Sequence, residues 1–487
     1  MTSTSTIAVP IHHQSPVPLY AALVGTFFLR MGGGIMGILI GLYLAAKDTE
    51  MNGPGGNLSY VIPATLVGII TASFFITELS GSFIAGNLID RNGPKRYMIF
   101  GPLFGAVAVF ITALLHLRGS SPPSQFILFM ALLFATRLLE GAAGATTNPA
   151  ALSYIAAYTS GDAKLRSRIS GYFEIATLIG AALGFVFGGQ LWKWFIDNHH
   201  GGQNAFLVDA AIYGLSALIF LVGVRNIESK GKVKRTEAPD LKQYVSLISS
   251  PRLRELVPAW LAISALLGVL FNHATFQLSN GSSRAGSEFA GGITLPYPGQ
   301  TLSHAFNGGQ IGLVFGLYAA AFGVGIVLWT LVIPRMRKST IMMISAFGVL
   351  VSSLLIAAIN HTALDGSNPL LYVLIPLMLI AVMVESGFTP AALVYLSDIS
   401  EAHAENRGMV MGLYSFLLGF GQLLGSVIAG PFADRASIDG LLLFMSILGI
   451  ISAISVTLLR KDELAHPADL KPKNVAASGV SEAAAAD

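Results

Sequence analysis

Long apolar runs recur along the chain, separated by short polar breaks, and each is long enough to cross the roughly 30 Å hydrocarbon layer of a bilayer as an α-helix. They fall near 17–46, 59–87, 97–117, 124–157, 168–195, 204–225, 256–278, 307–333, 340–360, 369–397, 408–431 and 439–460. The pattern predicts twelve transmembrane helices, the longest of which must tilt or protrude. One long polar interruption, 226–255, splits them into two sets of six. The expected organisation is an N-terminal tail (1–16), a six-helix bundle (17–227), a linker (228–255) with a short surface helix around 239–249, a second six-helix bundle (256–462) and a C-terminal tail (463–487). The fold class is an all-α polytopic membrane protein of two pseudo-symmetric bundles. The longest loop on the other face, 279–305, is rich in Gly and Ser and is expected to cover a mouth of the structure.

The two sets are related by sequence. Shifted by 241 residues, 148–189 aligns with 389–430 without a gap, and 13 of 42 positions are identical. The matches include Pro149 with Pro390, Tyr154 with Tyr395, Arg166 with Arg407 and four glycines in register. Six helices per repeat preserve orientation, so the halves are parallel repeats about an axis along the membrane normal. A site between two such halves can be exposed to either side in turn.

Composition and charge sharpen this picture. Charged residues make up 11% of the 487 residues, hydrophobic residues 53%, and the mean hydropathy is +0.66, far from a soluble domain. The 53 glycines and 22 prolines lie largely inside apolar runs, where close helix packing and re-satisfied kinks tolerate them. With no cysteine there is no disulfide, thiolate metal site or cysteine nucleophile. The N-terminal segment has no Lys or Arg ahead of an apolar core and is read as a retained tail rather than a signal peptide. Of 29 Lys and Arg, 22 fall on the face carrying Arg91, Lys95, Arg96, the linker and both tails, 5 on the opposite face, and Arg30 and Arg137 inside helices. Positive charge is retained inside, which predicts cytoplasmic termini in a cell membrane.

Between the second and third segments stands Gly86-Asn-Leu-Ile-Asp90-Arg91-Asn-Gly93-Pro-Lys95-Arg96. It resembles the G-x-x-x-D-R-x-G-R-[RK] loop of the major facilitator superfamily, with Pro94 where a basic residue is usual. Gly86 is expected to permit close helix approach, Asp90 to accept bonds from a neighbouring helix or its N-terminus, and Gly93 to form the tight turn. The resemblance implies a latch between the halves. In the second half Pro334 to Lys338 keeps the charge but lacks the Asp and second Gly, so any latch is asymmetric. Segment four carries Arg137-Leu-Leu-Glu140-Gly141, similar to the R-x-x-Q-G motif of family antiporters with Glu for Gln. Segment five carries Gly180-x-x-x-Gly184-Phe185-x-x-Gly188-Gly189, similar to G-x-x-x-G-P-x-x-G-G with Phe185 for proline. Small-residue helix packing alone also accounts for those glycines.

The resemblance covers about 17–460 and implies that segments 1, 4, 7 and 10 line a central cavity. Those segments supply Arg30; Arg137 and Glu140; Asn272, His273 and Gln277; and Glu385. By helical rise Arg137 lies about 20 Å and Glu385 about 24 Å from the outer ends of their helices. Ionisable groups at such depth are costly without a partner, proton or water, and mark functional sites. Arg137 and Glu140, at i and i+3, can pair. Glu385 is the leading proton-coupling candidate, followed by Glu140 and His273, with Arg30 and Arg137 as anion partners. Glu78 and Glu174 are expected to make gating or interhelical contacts. No nucleotide-binding or hydrolase motif is present, so an ion gradient must drive any concentration. The expected function is proton-coupled efflux of an amphipathic small molecule by a monomer. The alternatives are uptake of a polar or anionic solute by symport, or flipping of a lipid or glycolipid; a sensor or membrane enzyme fits less well. The expected partners are a small-molecule substrate, protons and the lipid bilayer, with no nucleic acid, cofactor or metal.

Overall fold

The computed structural model describes residues 16–52, 62–117, 122–159, 162–226, 251–279, 299–364, 368–402 and 407–465. The expected surface helix, nearly all of the linker and most of both tails lie outside the described residues. Among the described residues the chain is helical: α1 (Val17–Asn52), α2 (Ala64–Asn92), α3 (Pro94–Leu114), α4 (Pro123–Tyr158), α5 (Ala163–Asp197), α6 (Ala205–Gly223), α7 (Pro251–Leu278), α8 (Gly308–Val332), α9 (Lys338–Asn360), α10 (Leu371–Glu385), α11 (Phe388–Ala402) and α12 (Arg407–Ala465). Helix α7 starts five residues before its apolar run, at a proline whose fixed φ suits a first helical position.

These twelve helices do not map one to one on twelve crossings. The tenth crossing is α10 and α11 together, interrupted at Ser386-Gly387. Pro390 removes the N–H that would bond four residues back, and Gly387 adds flexibility. The repeat-related Pro149 is tolerated inside continuous α4, where Thr146 stands at the position matching Gly387 and bonds back to Ala142 O at 2.8 Å. At the break the Trp329 indole donates to the carbonyls of Met383 (3.0 Å) and Val384 (3.2 Å). Conversely α12 holds two crossings: its 59 residues turn at Ala436 (φ −146°, ψ 22°) and Ser437 (φ 46°, ψ −123°).

Side chains on the bundle exteriors are large and apolar, with Val222 78%, Tyr372 73% and Ile127 67% exposed. Such a surface faces acyl chains, not water. Inside, the glycine repeat makes equivalent contacts in each half. Gly180 and Gly184 seat α5 against Phe27 and Met31 of α1; Gly421 and Gly425 seat α12 against Leu261 and Ala265 of α7. The last matched glycine crosses between halves: Gly189 meets Gly308 and Gly312 of α8, and Gly430 meets Thr65 of α2.

The halves touch through α5 with α8, α2 with α12, and α1 with α7. Among the described residues these contacts run from the face opposite the basic loops to mid-membrane, where Gly419 abuts Leu79. Toward the basic face, a side chain at Gly86 or Gly171 would meet nothing within 4 Å. Among the described residues, therefore, no close helix approach is seen at Gly86 in this conformation.

Candidate functional site

The residues expected to form the site fall in three clusters. In the first half, Arg137 and Glu140 of α4 form an ion pair, with side chains 7% and 3% exposed. Tyr213 of α6 donates to Glu140 Oε1 at 3.1 Å, and the Arg137 guanidinium lies 5.3 Å from the Phe74 ring centre on α2. Nearer the basic face, Arg30 of α1 acts electrostatically on Glu78 of α2 and Glu174 of α5, while Asn148 Nδ2 donates to Glu78 Oε1 at 3.4 Å.

In the second half, Glu385 stands at the end of α10, 5% exposed. Tyr318 of α8 donates to its Oε1 and Ser352 of α9 to its Oε2, both at 2.6 Å. Among the described residues no Lys, Arg or His is bonded to it. It is held by neutral hydroxyls alone.

The third cluster closes the face opposite the basic loops. His273 of α7 is fully buried, its Nε2 2.6 Å from Ser426 O on α12. Ser426 Oγ donates to Gly68 O of α2 at 3.1 Å and lies 3.2 Å from Thr71 Oγ1. Gln277 Oε1 accepts from Ser437 Oγ at 2.9 Å, while Asn272 Nδ2 and His273 Nδ1 are buried without a hydrogen-bond partner. Asp434 then takes the start of α2: its Oδ1 accepts from Ala64 N at 2.5 Å and its Oδ2 from Thr65 N at 3.0 Å and Thr65 Oγ1 at 2.5 Å. Pro63, the N-cap of α2, has no side-chain cap of its own. A carboxylate from the other half therefore satisfies orphan N–H groups at a positive helix end. In the α5–α8 seam Phe185 stacks on Phe271 of α7 (5.1 Å, 12°) and tilts onto Phe315 of α8 (5.7 Å), so the residue standing for the family proline bridges the halves.

The structure thus pairs Arg137 with Glu140 and gathers Asn272, His273 and Gln277 on one helix at the closed face, but places Glu385 apart among α8 and α9. Of the basic-face loop, Gly93 has φ 81° and ends α2 with its N–H on Ile89 O at 2.8 Å, as a tight turn requires. Arg91 and Arg96 are exposed; the Asp90 side chain lies outside the described residues. Of the α5 glycines, Gly180, Gly184 and Gly188 face α1 and Gly189 faces α8.

The family profile for the Major Facilitator Superfamily matches residues 22–293 and 281–484. The chain belongs to this superfamily. It is a multi-pass membrane transporter and not an enzyme. It is 30% identical over 189 residues to Multidrug resistance protein 1 of Bacillus subtilis (strain 168), covering 39% of this chain and 42% of that relative, which is under half its length. It is 23% identical over 464 residues to Multidrug efflux pump Tap of Mycobacterium tuberculosis (strain ATCC 25618 / H37Rv), covering 93% and 96%. Among solved structures, a bacterial homologue of the human lysosomal transporter Spinster, in an inward-facing and occupied conformation, superposes with TM-score 0.63 at 12% identity over 93% of this chain and 98% of that one. That likeness shows the fold.

Two features of this superfamily member escaped the sequence reading. Gly430-Pro-Phe-Ala-Asp434-Arg435 repeats the G-x-x-x-D-R spacing of Gly86 to Arg91 at the other membrane face, and that repetition was the available signal for the Asp434 cap. Asp209, a carboxylate inside the sixth apolar run, was the second.

Proposed function

We propose that this transporter is a proton-coupled exporter of an amphipathic small molecule, acting as a monomer in the cell membrane with the basic face in the cytoplasm. Charge bias orients the chain. In that orientation the described contacts between the halves lie on the outer side, which supports a state that loads substrate from the cytoplasm or the inner leaflet. The observation that carries proton coupling is Glu385: a buried carboxyl held by Tyr318 and Ser352 and, among the described residues, by no cation. Burying an uncompensated carboxylate costs several kcal/mol. A proton removes that cost, so loading and unloading one at Glu385 changes the energy of the conformation that buries it. Export is favoured over anion uptake because Arg137, one of the two arginines that would have to be free to hold an anion, is taken by Glu140. The full-length likeness to a multidrug efflux pump points the same way.

The test is transport in proteoliposomes loaded with a pH-sensitive dye. Wild-type protein is expected to move protons against the substrate flow. Glu385→Gln is expected to keep substrate exchange without a gradient and to lose gradient-driven accumulation. Full gradient-driven transport by this variant removes Glu385 from the coupling role.

A further inference from the structure

Helix α6 carries one carboxylate, Asp209, within Phe206-Leu-Val-Asp209-Ala-Ala-Ile-Tyr213. It is 0% exposed, and among the described residues neither side-chain oxygen has a hydrogen-bond partner. Helix α6 packs mainly on α1 and α3, with lighter contact to α5. The charged groups there do not serve Asp209. On α1, Lys47 Nζ bonds Leu117 O at 3.2 Å, Asp48 accepts from Ile62 N at 3.0 Å, and Arg30 faces Glu78 and Glu174. On α3, Lys95 and Arg96 stand at the basic end. On α5, Lys193 pairs with Asp197 at 2.5 Å, and Arg166 and Arg168 lie toward the basic face. The charges that act on Asp209 are Glu140 and Arg137, and these two already pair with each other. An ionised Asp209 would give this dry cluster a net negative charge with no donor to spread it, at a cost of several kcal/mol.

Asp209 and Tyr213 are four residues apart on one helix face. Asp209 lies about 6 Å below the outer start of α6 at 1.5 Å per residue. Tyr213 continues inward to Glu140. We propose that Asp209 is a proton-binding site of the N-terminal half, occupied in the inward-facing state and wired to Glu140 through the Tyr213 hydroxyl. Asp209 makes no hydrogen bond to Tyr213 in this state, so transfer follows a side-chain rotation that brings its O–H to the Tyr213 oxygen: the Asp209 O–H bond breaks as its proton binds that oxygen, while the Tyr213 proton moves to Glu140. One O–H bond is lost at Asp209 and one is formed at Glu140, while the Tyr213 oxygen loses one and gains one, with no redox change. A protonated Glu140 loosens its hold on Arg137, which lies over Phe74 of α2, the helix that Asp434 caps from the other half. Physiological use of this site rests on the proton-coupling reading above; its occupancy does not.

The test is infrared difference spectroscopy on purified full-length protein at neutral pH. Wild type is expected to show the C=O stretching band of a protonated carboxyl without hydrogen bonds, lost in Asp209→Asn and retained in Glu385→Gln. Gel filtration checks that the variants fold, with Asp209→Glu, which should shift the band, as the second variant. Tyr213→Phe is expected to keep the band and slow its exchange with deuterium. If wild type and Asp209→Asn have the same protonated-carboxyl bands, the proposal is wrong. If the band is present but no substrate moves protons in proteoliposomes, the site stands and the coupling reading falls.

Discussion

Replacing Asp434 with alanine removes the acceptor of three hydrogen bonds that cross between the halves, from Ala64 N, Thr65 N and Thr65 Oγ1. When the outer face opens, water replaces the carboxylate, so only the net value of the cap counts. A side-chain N-cap is worth about 0.5–2 kcal/mol, and an ionised acceptor at a helix N-terminus stands at the upper end of that range. With about 2 kcal/mol lost and about 1.4 kcal/mol per factor of ten, the outward-open population should rise roughly 30-fold. The chain has no cysteine, so a single reporter thiol carries no background. Thr275→Cys is suitable because Thr275 is 1% exposed and abuts Gly41 across the seam. Its labelling by an impermeant maleimide from outside should proceed roughly 30-fold faster with Asp434→Ala and show a smaller gain with Asp434→Asn, which keeps one oxygen acceptor. A change below about threefold would refute the cap as an outer latch, since that corresponds to under about 0.7 kcal/mol.

Phe185→Ala should weaken the same closure by about 1–2 kcal/mol, the value of two aromatic contacts, and let a pH gradient across proteoliposomes decay faster; an unchanged leak counts against a sealing role. The α5 glycines should divide by partner. A Cβ at Gly189 would lie 2.8 Å from Gly312 Cα in the other half, so Gly189→Val should leave the folded yield intact and raise outer labelling. A Cβ at Gly184 would lie 2.9 Å from Gly34 Cα inside the same bundle, so Gly184→Val should lower the folded yield on gel filtration. The same outcome for both variants would refute that division.

What was legible in the sequence followed from short-range periodicity. Arg137 and Glu140 are three residues apart, and a helix alone brings them together. The glycines of α5 announced close packing, although spacing could not say that three face α1 and the fourth faces α8. Glu385 was legible as a deep carboxyl, but its partners Tyr318 and Ser352 lie 67 and 33 residues away on helices whose rotation is set by packing. The doubled crossing in α12 and the broken one at Ser386-Gly387 show another limit. Hydrophobic runs count crossings, while local backbone chemistry decides where hydrogen bonding continues. The Asp434 cap joins residues 369 and 370 positions apart, and no local pattern reports a partner at that distance.

The repeated G-x-x-x-D-R spacing permits a stricter test of the gates than either variant alone. Asp434 ends the eleventh crossing and caps the start of the second in the outward-closed state. Asp90 ends the second crossing at the opposite face, and the eleventh starts there at Arg407. If Asp90 latches the inward-closed state through that helix start, the two carboxylates favour opposite states. Asp90→Asn alone should then lower outer labelling of Thr275→Cys, while Asp434→Ala raises it. The two sites lie at opposite membrane faces, so their free energies should add within about 0.5 kcal/mol. The double variant should therefore label at a rate between the single variants, displaced from wild type by the difference of their two effects. A double variant that labels like Asp434→Ala alone would show that Asp90 contributes nothing to the equilibrium. The inner loop would then be a positively charged turn, and closure on the cytoplasmic side would need another cause.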